Sequence, residues 1–198
     1  ARGPRGCERP ATIGEAVRVL VACEFSGAVR DAFSKLGHDA WSCDLLPSET
    51  PGQHIQGDLR AVDLASFDLV IAHPPCTHLA VSGARWWPLK RAEQAESVAF
   101  VRWIADNAPR YVIENPVGLL STVWRKPDQI IQPWQHGHGE TKATCLWLSG
   151  PPPLVPSKVV EGREARCHRE PQSKDRWARR SRTLPGVAAA MAAQWGST

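Results

Sequence analysis

Short apolar runs that break off at turn residues punctuate the chain from Val17 onward. Val17-Arg18-Val19-Leu20-Val21-Ala22 has a strand pattern, and Ala28 to Leu36 carries apolar residues at helical spacing before Gly37, a good helix stop. Ala40-Trp41-Ser42-Cys43 predicts a second strand with Asp44 at its carboxyl end, and Gly57-Asp58-Leu59 predicts the next edge turn. Leu69-Val70-Ile71-Ala72 and Tyr111-Val112-Ile113 read as buried parallel strands, because a few β-branched residues stop at proline-containing turns. Between them, Trp86 to Asn107 has a helical period, with Ala92, Ala95, Val98, Ala99, Val101, Trp103 and Ile104 on it, until Pro109 ends it. Thr144 to Leu148 predicts a further strand, closed by an extended loop at Gly150-Pro151-Pro152-Pro153. Val187 to Trp195 predicts an alanine-rich last helix after Pro185-Gly186. Strands alternating with helices predict an α/β, Rossmann-like domain whose mostly parallel sheet is flanked by helices. No repeat of solenoid period is present.

A chain of 198 residues suits one domain with a proper core. The expected domain is 16–198, since Ala1 to about Glu15 carries Arg, Gly and Pro without apolar periodicity and reads as a disordered leader. No apolar run of about 18 residues and no signal-like start is present, so neither a membrane span nor secretion is expected, and the cytoplasm is the default. Six scattered cysteines, with Cys43 and Cys145 in apolar runs, predict reduced thiols. The net charge of +4 is mild but uneven, because the proline-rich segment 151–183 collects Arg163, Arg166, Arg169, Lys174, Arg176, Arg179, Arg180 and Arg182. Such a run can neutralise phosphates or serve as a solvated face.

Two of the strands end in reactive turns, His73-Pro74-Pro75-Cys76 and Glu114-Asn115-Pro116. Ligands in open α/β sheets bind beyond the carboxyl ends of strands, so a thiol and a carboxyl would line one cleft. A helix starting at Thr77 would lower the Cys76 pKa through its dipole, and Pro74 and Pro75 would fix where the sulfur points. Burial at a strand end would raise the Glu114 pKa and keep a donor proton near neutral pH. Taken singly, the cysteine reads as a small hydrophobe and the glutamate as a turn cap; their pairing in this order favours chemistry. In the first turn, Cys23-Glu24-Phe25-Ser26-Gly27, Gly27 lets the backbone approach a ligand. Asp44 suits a ribose diol and Asp58 the exocyclic amine of an adenine, a set compatible with S-adenosylmethionine.

The two motifs resemble the proline-cysteine and glutamate-asparagine motifs of the DNA cytosine 5-methyltransferases, and the resemblance spans roughly Val17 to Leu148. It implies the class I S-adenosylmethionine-dependent methyltransferase fold, in a small, phage-like member without the family's target-recognition domain. The implied reaction adds the Cys76 thiolate to carbon 6 of cytosine, with Glu114 at ring nitrogen 3, so that carbon 5 can take a methyl group. Glu140-Thr141-Lys142-Ala143-Thr144 stands where the family has a Gln-x-Arg-x-Arg strand, and Lys142 would orient the pyrimidine or its phosphate. The implied cofactor residues are Glu24, Phe25, Ser26, Gly27, Asp44, Leu45, Asp58, Leu59 and Pro74. Pro75, Asn115, Thr144, Trp86 and Arg182 would meet the substrate. The turn at Gly27 lacks the family's second glycine, which leaves Gly27 as its firmest match. The implied partners are DNA or a cytosine nucleotide, with a protein partner if target recognition is borrowed, acting as a monomer or homodimer.

A different class of reading is a zinc-containing nucleic-acid-binding module. His73, Cys76 and His78 lie within one turn, but there is no Cys-x-x-Cys pair, and His136 with His138 reads as an exposed loop pair, so no metal is expected. Among nine tryptophans, Trp86, Trp87, Trp124, Trp134 and Trp177 are flanked by polar or basic residues and suit stacking on bases. Trp86 and Trp87 would close over a substrate from a loop hinged at Ser82-Gly83. Trp103, Trp147 and Trp195 suit the core.

Overall fold

The computed structural model describes residues 16–197; the leader expected at 1–15 lies outside them. Seven strands form one sheet: β1 (Arg18–Ala22), β2 (Asp39–Asp44), β3 (His54–Gln56), β4 (Leu69–Ala72), β5 (Tyr111–Pro116), β6 (Gln129–Ile131) and β7 (Thr144–Ser149). Their spatial order is β3-β2-β1-β4-β5-β7-β6. The first five pair in parallel, whereas β7 runs antiparallel to both β5 and β6. The sheet is therefore mixed, and the expectation of a mostly parallel sheet is corrected. Thr144 to Leu148 is equally apolar whichever way it runs, so its sequence carries no sign of direction.

Six helices complete the fold: α1 (Ala28–Lys35), α2 (Arg91–Asn107), α3 (Leu120–Val123), α4 (Arg166–Arg169), α5 (Arg176–Ser181) and α6 (Pro185–Trp195). Alternate strand residues point to opposite faces and both faces are buried. Val19, Val21, Leu69, Ile71, Val112 and Leu146 pack with Val29 and Phe33 of α1 and with Met191 and Trp195 of α6. On the other face Leu20, Val70, Ile113 and Trp147 meet Val101 and Ile104 of α2 and Leu120 of α3. Burial of each such large side chain contributes about 1.5–3 kcal/mol. Trp147 and Trp195 are fully buried, as their apolar surroundings predict, and Trp103 is partly buried.

The helix expected from Trp86 divides in two. Residues Val81–Leu89, including the expected hinge at Ser82-Gly83, wind as a 3-10 helix, and α2 begins only after it. Pro88 lacks the N–H that a continuous α-helix would use. The pair His136 and His138 is also corrected, because His136 is only 2% exposed and its Nδ1 lies 3.1 Å from Ser157 Oγ. His138 Nε2 accepts the Gly186 N–H at 2.9 Å, holding the start of α6.

Among the described residues, Cys23, Cys43, Cys76, Cys145 and Cys167 are all free. None of the described helices is long and apolar enough to cross a membrane.

Candidate active site

The carboxyl edge of β1, β2, β4 and β5 gathers most of the residues singled out by sequence. β1 lies between β2 and β4, so the chain leaves it in opposite directions and opens a crevice above the switch. At its end Cys23 adopts a left-handed conformation with φ of 59°, and Gly27 another with φ of 73°. Between them the chain reverses so that Glu24, 5% exposed, points back at α1. Its carboxylate accepts the backbone N–H of Val29 at 2.8 Å and of Arg30 at 3.2 Å, two donors a helix start leaves open. Ser26 Oγ, 3.4 Å from the same carboxylate, accepts the Ala28 N–H. Glu24, Ser26 and Gly27 thus build the turn as much as they line it.

Asp44 at the end of β2 is half-buried, with one oxygen on the Leu46 N–H at 2.9 Å, while the neighbouring Leu45 is 71% exposed. Asp58 is exposed and caps a 3-10 turn through the Arg60 N–H. Leu59, expected at a cofactor, sends its side chain into the core, leaving only its backbone at the edge. The Cys23 thiol is pushed up to about 12, first by burial and then by Asp44, Cys43 and Asp58, so this half of the edge is acidic. The Phe25 ring meets that of Trp177 of α5 at a tilt, with centroids 5.5 Å apart.

β4 and β5 are adjacent and parallel, with Ala72 opposite Ile113, which brings the Cys76 and Glu114 turns together. Asn115 Nδ2 donates to the Pro74 carbonyl at 2.9 Å and so holds the Pro-Pro-Cys turn against β5. The following loops are also joined, by Val81 N–H to the Val117 carbonyl at 2.9 Å and Leu119 N–H to the Leu79 carbonyl at 2.8 Å. Gly118 permits this approach, since a Cβ there would lie 2.0 Å from the Leu79 carbonyl oxygen. Gly118→Ala is expected to separate the loops and cost about 1–3 kcal/mol, read as a lower urea midpoint with an unchanged slope.

The electrostatics differ from the sequence expectation in two respects. Cys76 is followed by only a single turn, Thr77 to Leu79, and its thiol is held above the ordinary value by desolvation. Lys142 and Arg180 oppose that rise without cancelling it, and Glu114 adds to it. No developed helix dipole bears on the sulfur. Glu114 pairs with His73, whose Nδ1 lies 3.1 Å from Oε2, with side chains only 14% and 11% exposed. Burial alone would raise the carboxyl, but His73 and then Lys142 outweigh it, so Glu114 is held below its ordinary value. His73 moves the other way: burial would lower it, but Glu114 and more weakly Glu24 overcome burial and Lys142, so it is raised.

Lys142 stands in front of β7, its Nζ 3.4 Å from the Arg182 carbonyl, and Thr144 opens β7 itself. With Glu114, Thr183 and Leu184 these two line a small recess. Arg182, expected at the substrate, pairs its guanidinium with Glu49 at 2.5 Å. Much of the basic segment is internally engaged: Arg166 with Glu140, Arg179 with Glu170, Arg176 with the Glu170 carbonyl, and Arg163 over the Trp134 ring. Arg180 has its Nε buried and unpartnered, and its charge reaches the Cys76 thiol. Pro75 is exposed beside Cys76, and Trp86, 51% exposed, carries the Arg85 guanidinium over its ring at 5.0 Å. Sequence reasoning missed His73 as the partner of Glu114 and Arg180 as a neighbour of Cys76. The first stood in the motif, and the second was one of eight similar charges. No group of three or more His, Cys, Asp or Glu residues suited to a metal ion occurs among the described residues. No protein-family model and no curated protein matches the chain.

Proposed function

We propose that the protein methylates cytosine at carbon 5 through a transient Cys76 adduct, with DNA as the substrate. The observation that carries this reading is the meeting of Cys76 and Glu114 at the ends of adjacent parallel strands, held by the bond from Asn115 to Pro74. The order of the sheet, with antiparallel β7 between β5 and β6, is compatible with the class I methyltransferase fold.

Carbon 5 of cytosine is a weak nucleophile until a thiolate adds at carbon 6 and makes an enamine. Cys76 is exposed enough to reach a base, and Lys142 and Arg180 favour its thiolate. S-adenosylmethionine would supply the electrophilic methyl group. Asp44 and Asp58 fit its hydroxyls and amine, and exposed Leu45 offers an apolar face for a ring. The start of α1 is not part of that fit, because Glu24 already occupies it. Glu114 meets ring nitrogen 3, where charge develops during addition, so its contact strengthens in the transition state.

The test is transfer of labelled methyl from S-adenosylmethionine to duplex DNA, single-stranded DNA and cytosine mononucleotides in parallel. Label on a polymer, found as 5-methylcytosine, is the expected result, with single strands preferred because a duplex base must first be unstacked at a cost of a few kcal/mol. Label on mononucleotide alone moves the substrate to free nucleotides. No label on any of them removes the proposed activity.

A further inference from the structure

We propose that His73 is a positioning residue for Glu114, holding the proton that Glu114 delivers to ring nitrogen 3 when Cys76 adds to cytosine. The inference rests on the cytosine reading and supplies what that reading lacks. A Glu114 carboxylate has no proton of its own to give, and facing the lone pair of nitrogen 3 it would repel rather than stabilise. His73 is placed to hold that proton: its Nδ1 lies 3.1 Å from Glu114 Oε2, both side chains are nearly enclosed, and His73 Nε2 is buried without a partner. The His73 main-chain N–H donates to the Ala22 carbonyl at 2.9 Å, which anchors the residue at the β1–β4 edge, and burial of its side chain limits the positions open to the ring.

The Cys76 thiolate forms the bond to carbon 6, the carbon 5–carbon 6 electrons shift toward carbon 4, and the carbon 4–nitrogen 3 electrons move onto nitrogen 3. Nitrogen 3 takes a proton from Glu114, which takes the Nδ1 proton of His73, leaving a neutral imidazole. Carbon 5 then takes a methyl group from the sulfonium donor, whose sulfur keeps the electrons of the broken bond and leaves as a neutral thioether. Carbon 5 gives its hydrogen to water as a proton, the thiolate leaves, and the nitrogen 3 proton returns through Glu114 to His73. The pair ends as it began.

The charged groups facing the pair come from three sides: Glu24 from the turn after β1, Lys142 from the segment before β7, and Cys76 on the same turn as His73. Glu24 favours the imidazolium and Lys142 opposes it, so the attraction of Glu114 is what keeps the proton in place. A purely structural ion pair would tie β4 to β5 without this acid–base role.

Two measurements separate these cases. In the first, the histidine rings are followed by NMR through a pH titration of the wild type and of Glu114→Gln. His73 is expected to titrate above its ordinary value of about 6.5 in the wild type and below it in the variant, where burial acts without the carboxylate. A His73 that titrates at its ordinary value in both overturns the proposal, whether or not the protein turns over. In the second, methyl transfer is measured against pH for the wild type and His73→Asn. The optimum lies midway between the group that must be ionised, Cys76, and the pair that must hold its proton. With His73 gone, the proton rests on Glu114 alone, a carboxyl that holds it less tightly than the raised imidazole, so the alkaline limb and with it the optimum move toward acid. A rate lowered equally at every pH marks a structural role and overturns the proposal. A paired, raised His73 in a protein that transfers no methyl to cytosine would sink the cytosine reading and leave the acid–base pair standing.

Discussion

Cys76→Ala is expected to lose methyl transfer by on the order of 10³-fold or more while leaving the fold intact. Without the sulfur nothing adds at carbon 6, and an uncharged cytosine offers carbon 5 no electrons to take a methyl group. Stability should barely change, because Cys76 is exposed and its turn is held by backbone and by Asn115 rather than by the thiol. DNA carrying 5-fluorocytosine gives a sharper readout, since fluorine blocks the loss from carbon 5 that would release the enzyme. The wild type should form a complex that survives denaturation, and Cys76→Ala should form none; trapping by the variant would assign the nucleophile elsewhere. Because desolvation holds the thiol above its ordinary value, thiolate is scarce at neutral pH and trapping should accelerate as pH rises. Lys142→Ala removes one of the two cations that relieve the shift, so the same rise should begin at higher pH.

Arg30→Met should be the most damaging single change to stability, costing about 3–5 kcal/mol. Arg30 is fully buried and spends its guanidinium on Asp31, on the hydroxyls of Ser42, Ser48 and Thr50, and on the carbonyls of Thr50 and Pro51. Ser48, Thr50 and Pro51 belong to the loop after β2, which closes around the cation so tightly that a Cβ on Gly52 would lie 2.8 Å from it. Methionine fills the stem but leaves Asp31 and several oxygens without their donor, and an unpaired buried acceptor costs more than the bond it lost. Lysine would not rescue the change, because one ammonium cannot span a planar five-donor pattern. Since a domain's whole stability is typically about 5–15 kcal/mol, the urea midpoint should fall steeply. A midpoint within error of the wild type would show that the loop holds itself.

The central strands were legible because each is a short apolar run cut off by a turn, and β1, β4 and β5 appear where those runs lie. β3 and β6 were not, since three residues at the sheet's two edges are too few to show a period. The ends of β4 and β5 announced Cys76 and Glu114, and their approach followed from adjacency of the strands. The charge state of that site was not legible. A rise was expected for Glu114 from burial alone, and the imidazole that reverses it sits one strand over, three residues before Cys76. Arg182 shows the same limit: its charge was visible but its partner Glu49, far off in sequence, was not.

The inward turn of Glu24 has a consequence for what the crevice can hold. Folds of this shape often cradle phosphate on the bare N–H groups at the start of the first helix. Here those donors are already spent on the chain's own carboxylate, and Asp44 and Asp58 stand nearby on the same edge. A pyrophosphate brought to that spot would meet Glu24 already on the Val29 and Arg30 N–H groups and two more carboxyl side chains along the edge, an unfavourable place for added negative charge. A ligand group at this turn that carries no phosphate, or carries positive charge, meets no such opposition, so at the start of α1 the sign of a ligand's charge counts before its shape does.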